Sequence, residues 1–330
     1  MRKRTHLAWV ASAAVLSGSL AAPSTVLAAD AETEESTIEE VVVIGSRRAA
    51  RSAADTTAPV DVIQVEDFVK SASTDVQDLL RTAVPSYNVN SQPISDAATI
   101  SRPANLRGLS PDNTLVLVNG KRRHRGSVIS FLGGGISDGA QGVDIATIPA
   151  LALKRVEVLR DGASSQYGSD AIAGVLNFAL RDDAEGGFLE VNGGSTYEGD
   201  GGNFRIAGNY GFALGDKGFL NITGEYGEVD GTVRSVVRDD VQALIDAGNT
   251  AAADFRTINA FTDEVPQYWG QPDVTDDIKI FVNSAYEINE NAEVYLFGNW
   301  AQRTATGGFF YRNPTNRCLL YTSPSPRDRG

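Results

Sequence analysis

Apolar and polar positions follow two different rules along this chain. In its first half they form short, separate blocks; from Gly187 onward they alternate one by one. Residues 59–65 are rich in β-branched side chains and predict a strand. Thr74 and Gln77 form a capping-box pair ahead of Val76, Leu79 and Leu80, an i, i+3, i+4 stripe that predicts a helix. Pro85 stops that helix. Residues 114–118 read as an apolar strand, and Asn119-Gly120 directly after them signals a tight turn. Residues 156–159 and 175–178 are two further strands. Irregular stretches at 88–105 and 122–142 separate these blocks. The second contains Gly133, Gly134, Gly135 and Gly139 but lacks the Gly-Lys-Ser/Thr ending and following helix of a phosphate-cradling loop. The blocks predict a compact α+β unit over residues 59–185.

After that unit the period is two. Residues 187–194 form the first alternating segment. In the second, Phe204, Ile206, Gly208, Tyr210, Phe212 and Leu214 share one face, and Asn203, Arg205, Ala207, Asn209, Gly211 and Ala213 the other. A third, 218–226, sets Leu220, Ile222 and Tyr226 against Asn221, Thr223 and Glu225. A fourth, 278–287, sets Ile278, Ile280, Val282 and Tyr286 against Lys279, Asn283 and Glu287, and 292–303 make a fifth. Alternating segments of about ten residues separated by turns are the signature of a membrane β-barrel, although a soluble sandwich alternates too. The connections discriminate: 215–217 and 288–291 are tight, whereas 195–202 and 227–277 are long. Short periplasmic turns alternating with long outer loops is the outer-membrane arrangement. The loop 227–277, with a helical stretch at 241–245 ended by Gly248 and with Tyr268 and Trp269 beyond, is a candidate lid or ligand clamp. Asn221-Ile222-Thr223 spells a glycosylation sequon but falls mid-strand and is set aside. Membrane barrels need about eight strands or more, and open edges in lipid leave polar groups unsatisfied. The barrel is therefore expected to continue beyond the five strands present.

Two ends of the chain stand apart. Arg2, Lys3 and Arg4, an apolar run from Leu7 to Leu20, and Val26-Leu27-Ala28 make the three-part pattern of a secretory signal over residues 1–28, too short to span a bilayer. The stretch 318–330 contains Cys318-Leu319-Leu320-Tyr321-Thr322-Ser323, which resembles an in-frame translation of a transposase-based sequencing adapter. The native sequence is expected to end near Arg317, and the codons at these positions check it. Composition narrows the chemistry. The 330 residues carry 29 Lys+Arg against 42 Asp+Glu, a net charge of −13, which opposes nucleic-acid binding. One cysteine and two histidines exclude a disulfide framework, a Cys/His zinc site and most His-based triads, and no cofactor is expected. An exported, acidic, cysteine-poor chain points to a bacterial envelope.

Several blocks carry a family resemblance. Asn105-Leu106-Arg107-Gly108-Leu109-Ser110-Pro111, then Thr114 to Arg122, Ile148-Pro149, Val156 to Ser164, and Tyr167 to Asn177 resemble, in order, the plug domain of TonB-dependent outer-membrane receptors. Asp161-Gly162 stands where many members have Gly-Pro. The resemblance implies an α+β plug domain followed by an antiparallel transmembrane β-barrel, here incomplete with about five strands. It divides the chain into a leader (1–28), a periplasmic tether (29–58), the plug (59–185), a partial barrel (186–317) and the anomalous tail (318–330). Within the acidic tether, Glu40, Val41, Val42, Val43 and Ile44 resemble the TonB box, a β-prone run suited to strand addition on a partner's sheet edge. The lesser alternative for this run is the first strand of the following domain.

The resemblance also implies energised uptake of a scarce ligand (an iron siderophore, cobalamin or an oligosaccharide) across the bacterial outer membrane. The partners would be TonB with its inner-membrane energising complex, and outer-membrane lipid. Arg107, Gly108, Glu157, Arg160, Tyr167 and Gly168 fall in the plug motifs, and Arg107, Glu157 and Arg160 are candidates for pairing with the barrel wall. The loops at 91–101 and 122–142 would face the outer pocket. Arg122, Arg123, His124 and Arg125 form a basic knot followed by Phe131, which reads as an anion-binding site or as a solvated turn. Two other functions fit less well: a receptor that also signals, for which residues 29–38 leave no room for a periplasmic domain, and a secreted hydrolase, for which no triad is recognisable. The expectation is therefore not an enzyme.

Overall fold

A computed structural model describes residues 60–65, 75–89, 101–130, 137–232, 234, 239–249 and 270–306. The chain divides into Met1–Glu39 and Glu40–Gly330, and every described residue belongs to the second unit. The leader, the tether with Glu40 to Ile44, Phe131, Tyr268, Trp269 and the tail with Cys318 lie outside the described residues.

The first half builds a five-stranded sheet. Its strands are β1 (Val60–Gln64), β4 (Thr114–Val118), β5 (Lys121–Arg122), β6 (Leu153–Leu159) and β7 (Gly174–Leu180), in the order β1-β6-β7-β4-β5. The β4–β7 pairing is parallel and the rest are antiparallel. β4 and β7 are buried along their whole length, which is why both read as largely apolar runs rather than alternations, with Asn177 the buried polar exception in β7. Beside the sheet lie helix α1 (Val76–Ala83) and a small ribbon of β2 (Tyr87–Val89) with β3 (Ala104–Leu106). α1 buries Val76, Gln77, Leu79 and Leu80. Its N-cap is Asp75, whose carboxylate accepts from the Gln77 N–H at 2.8 Å; Thr74, the expected first member of a capping box, lies outside the described residues. Val84 ends the helix, just ahead of Pro85.

The second half is a wall. β8 (Gly187–Gly194), β9 (Asn203–Ala213), β10 (Gly218–Val229), β11 (Asp273–Asn289) and β12 (Ala292–Thr306) pair in sequence order, all antiparallel. In β9, β10 and much of β11 alternate residues are buried against the first sheet's body and the others face the far side. Ala207, Asn209 and Gly211 face inward while Ile206, Tyr210 and Phe212 face out. β11 runs from residue 273, five residues earlier than its alternation suggests. A bulge between Thr275 and Ile278, with Asp276 at φ 53°, resets the phase and hides the strand's start from a period-two reading. A helix, α3 (Asp239–Asp246), stands in the long loop near the helical stretch expected there.

Candidate functional site

The functional question is how the first sheet sits against the wall. The Asn119-Gly120 turn supplies the first contact. Both residues have positive φ (47° and 72°), the geometry of a tight two-residue hairpin between β4 and β5. The Gly120 N–H donates to Asn177 Oδ1 at 2.9 Å, and Asn119 Oδ1 accepts from the Leu180 N–H at 2.9 Å. This leaves Asn119 Nδ2 to donate outward, to Asn283 Oδ1 on β11 at 3.2 Å. Asn283 in turn donates to the Arg181 carbonyl at 2.8 Å. Further along, Arg123 donates to Asn299 Oδ1 on β12 at 2.7 Å and to Thr147 Oγ1 at 3.4 Å. The segment leaving β7 is pressed on β9 so closely that a Cβ at Gly211 would lie 2.1 Å from the Asp183 carbonyl oxygen. Arg181 stacks over the Phe188 ring at 4.3 Å.

Charges gather higher on the inner face of the wall. Lys279 lies 2.6 Å from Glu225 and 3.5 Å from Asp277; Arg205 lies 3.2 Å from Glu225, and Arg303 2.7 Å from Asp277. Lys279, Glu225 and Asp277 are buried, a placement tolerable only because each has an opposite charge beside it. Opposite them on the first sheet's side stand Asp75, paired with Arg102, and Asp144, which caps the 3-10 turn Ile145–Thr147 through the Ala146 N–H at 3.0 Å. Burial works to raise the Asp75 pKa, but Arg102, the Gln77 N–H, Lys279 and Arg205 together hold it below the usual value. For Asp144 burial wins, and its pKa is raised despite Arg303, Lys279 and Arg123. Asp78 is raised by burial and by Asp75 beside it, and burial also pushes the Tyr87 phenol up.

The expected wall-pairing charges are placed differently. Glu157, 1% exposed on β6, accepts from Arg155 Nε at 2.8 Å and from Asn177 Nδ2 at 3.1 Å. Arg160 lies 2.8 Å from Asp61 on β1, and Arg107 lies 3.8 Å from Asp161. These partners belong to the same sheet body, so among the described residues Arg107, Glu157 and Arg160 tie that body to itself. Among the described residues, polar contacts to the wall include those of Asn119, Lys121, Arg123 and the Arg181–Asp183 segment. Arg107 and Gly108 both have positive φ (56° and 68°) and turn the chain after β3. Tyr167 closes the short helix α2 (Ser164–Tyr167), and Gly168, at φ 94°, follows it. Arg122 clasps this corner, bonding the Tyr167 carbonyl at 2.9 Å and pairing with Asp170.

The basic knot is brought together but is not bare. Arg122, Arg123, His124 and Arg125 line a cleft of about 150 Å³ with Asp112, Thr114, Gln141 and Asp170. Arg125 lies 3.5 Å from Asp112, Arg122 pairs with Asp170, and burial lowers the Arg123 pKa. Acid partners thus compensate much of the positive charge that the sequence displays. Among the described residues no group of three or more His, Cys, Asp or Glu side chains is placed to hold a metal ion. Sequence reading missed Phe281, Asn283 and Asn299 as contact residues. One signal was present: Phe281 is a large aromatic on a face otherwise lined by Asp277, Lys279 and Asn283.

Residues 52–175 match the family model described as TonB-dependent Receptor Plug Domain. A ferric enterobactin receptor of Pseudomonas aeruginosa is 32% identical over 145 residues, 43% of this chain and 19% of the relative. An iron-regulated outer membrane virulence protein of Vibrio cholerae is 34% identical over 148 residues, 44% of this chain and 21% of the relative. The chain thus spans about a fifth of the length of these curated relatives. Among solved structures, a mutant of the Pseudomonas aeruginosa ferric enterobactin receptor in complex with enterobactin superposes with a TM-score of 0.54 at 21% identity, over 76% of this chain and 34% of that one. The siderophore receptor PirA of Acinetobacter baumannii gives 0.52 at 22%, over 74% and 32%. At these identities the structures establish the shared fold: a plug sheet against an antiparallel barrel wall.

Proposed function

We propose that the chain is the N-terminal part of a TonB-dependent outer-membrane receptor and that it serves energised uptake of an iron–siderophore complex across the bacterial outer membrane. The observation that carries this reading is the plug sheet lying against the polar inner face of strands whose outer face is apolar. Exposed Leu189, Val191, Ile222, Ile280, Leu296 and Trp300 suit contact with lipid, while amides and paired charges face the plug. The siderophore class comes from the relatives, which are named as ferric enterobactin and siderophore receptors. Those relatives are receptors rather than enzymes, which also speaks against the hydrolase reading. In this proposal residues 1–28 export the chain and residues 59–185 form the plug. Residues 186–317 begin the barrel, and Glu40, Val41, Val42, Val43 and Ile44 give TonB an edge on which to add a strand.

The outer cleft is the proposed first contact for ligand. His124 and Arg125 are exposed there, whereas Arg123 is committed to Asn299 and Thr147. With much of its charge compensated, the cleft suits a bulky, hydrogen-bonding chelate better than a small free anion. The test is uptake of labelled iron–catecholate by cells whose only receptor is the full-length protein, with and without residues 41–44. Deletion is expected to abolish accumulation while leaving surface binding of the chelate intact. Accumulation that survives the deletion would overturn the TonB-box assignment, and absence of binding by the intact receptor would overturn the ligand class.

A further inference from the structure

Phe281 stands where the alternation of β11 asks for a polar side chain. Its inner-face neighbours on the strand are Lys279 and Asn283, and across the ladder it faces Thr223 on β10 and Asn299 on β12. Yet it is 2% exposed, as buried as the plug's own core. It belongs to the larger buried cluster, whose other buried members among the described residues all come from the plug, Leu80, Ile145, Ile148, Leu153 and Phe178 among them. From β12, Phe297 packs against the same cluster. An aromatic side chain given by one body to the core of another is the anatomy of an interface anchor. A few such groups carry most of the interaction while the surrounding polar contacts add register. Here those surrounding contacts are the Asn119–Asn283 and Asn283–Arg181 hydrogen bonds, and the nearby Lys279 is neutralised by Glu225 on its own wall.

We propose that Phe281 is the seating pin of the plug: by entering the plug's core it fixes the plug's height and rotation in the barrel and keeps the pore closed. It is a positioning residue. Amide hydrogen bonds at the seam exchange for water at little cost, so they set register but resist displacement weakly. A buried ring must leave its packed socket before the plug can shift along the wall, and every partial withdrawal loses contact on all its sides. The proposal concerns closure alone and needs neither TonB nor ligand, so it stands or falls apart from the uptake reading. The test is ion conductance of the purified full-length receptor in planar bilayers, comparing the parent with Phe281→Ala, Phe281→Leu and Ile280→Ala. Ile280 is the outward-facing neighbour on the same strand and reports any general weakening of β11. Barrel folding of each variant is checked by its unheated gel migration in detergent. Phe281→Ala is expected to leak several-fold above the parent, Phe281→Leu between the two, and Ile280→Ala no more than the parent. If Phe281→Ala does not insert, the comparison of Phe281→Leu with Ile280→Ala decides. Phe281 variants as tight as the parent, or Ile280→Ala leaking as much as they do, would overturn the proposal.

Discussion

Asp75 and Asp144 both feel Lys279 of the wall, Asp75 with Arg205 and Asp144 with Arg303 besides, yet they shift in opposite directions. Both pay the penalty of burial, but Asp75 also has Arg102 in direct contact and sits lowered, whereas Asp144 meets its cations at longer range and sits raised. The sign of each follows from linkage. The Asp75 contribution is present above its ordinary value near 3.8 and is lost as pH falls through its lower folded value. The Asp144 carboxylate instead costs stability once pH rises through its raised folded value. Asn at either position keeps the capping oxygen. Asp75→Asn is therefore expected to lose about 1.5–3 kcal/mol at neutral pH, and Asp144→Asn to be neutral or stabilising there. Thermal unfolding of the two variants between pH 3 and 8 separates them: the Asp75 deficit shrinks at the acid end, and any Asp144 gain disappears there. At Gly211 the argument is steric. A methyl group against the Asp183 carbonyl forces the segment leaving β7 off the wall, so Gly211→Ala is expected to cost about 1–3 kcal/mol or more. A melting temperature equal to the parent's would contradict that.

At the scale of elements, the strands were legible where a single environment governs each face. β9 and β10 alternate because one face is exposed and the other meets the plug, and their residue pattern gave the faces. β4 and β7 were legible as largely apolar runs because both their faces are covered. Local reading failed where a second element intervenes. The start of α1 shifted to Asp75 because that carboxylate is fixed by Arg102 from a segment 27 residues away, which no window around Thr74 contains. The early start of β11 is concealed by its bulge. The assignment of faces predicts unequal costs for a charge on the wall. Ile280→Arg, mid-strand and outward, is expected to destabilise the folded receptor in lipid vesicles by about 2–4 kcal/mol. Glu287→Arg, near the turn, is expected to change it by about 0–1 kcal/mol. Denaturant unfolding in vesicles compares the two, and equal effects would refute the assignment of Ile280 to the lipid face.

For the whole molecule, the residues themselves determined the two-part plan. Block patterning specifies a buried mixed sheet, period-two patterning specifies a wall, and the motifs from Asn105 to Asn177 carry the likeness to the plug domain. Those features are local, since each is written in consecutive residues whose propensity and periodicity act within a few positions. What only the tertiary structure decided is the seam. Arg107, Glu157 and Arg160 have the composition of wall contacts but find partners inside the plug, because a charge pairs with whatever opposite charge the chain path brings near. Asn119 was visible as a turn residue; that its amide reaches Asn283, 164 positions away, was not. Phe281 was visible only as an exception to its strand's pattern, and its destination in the plug core depends on packing two bodies together. Sequence periodicity reports which face of an element avoids water. It carries no term for which distant surface covers that face, and that choice is made by shape and pairing in three dimensions.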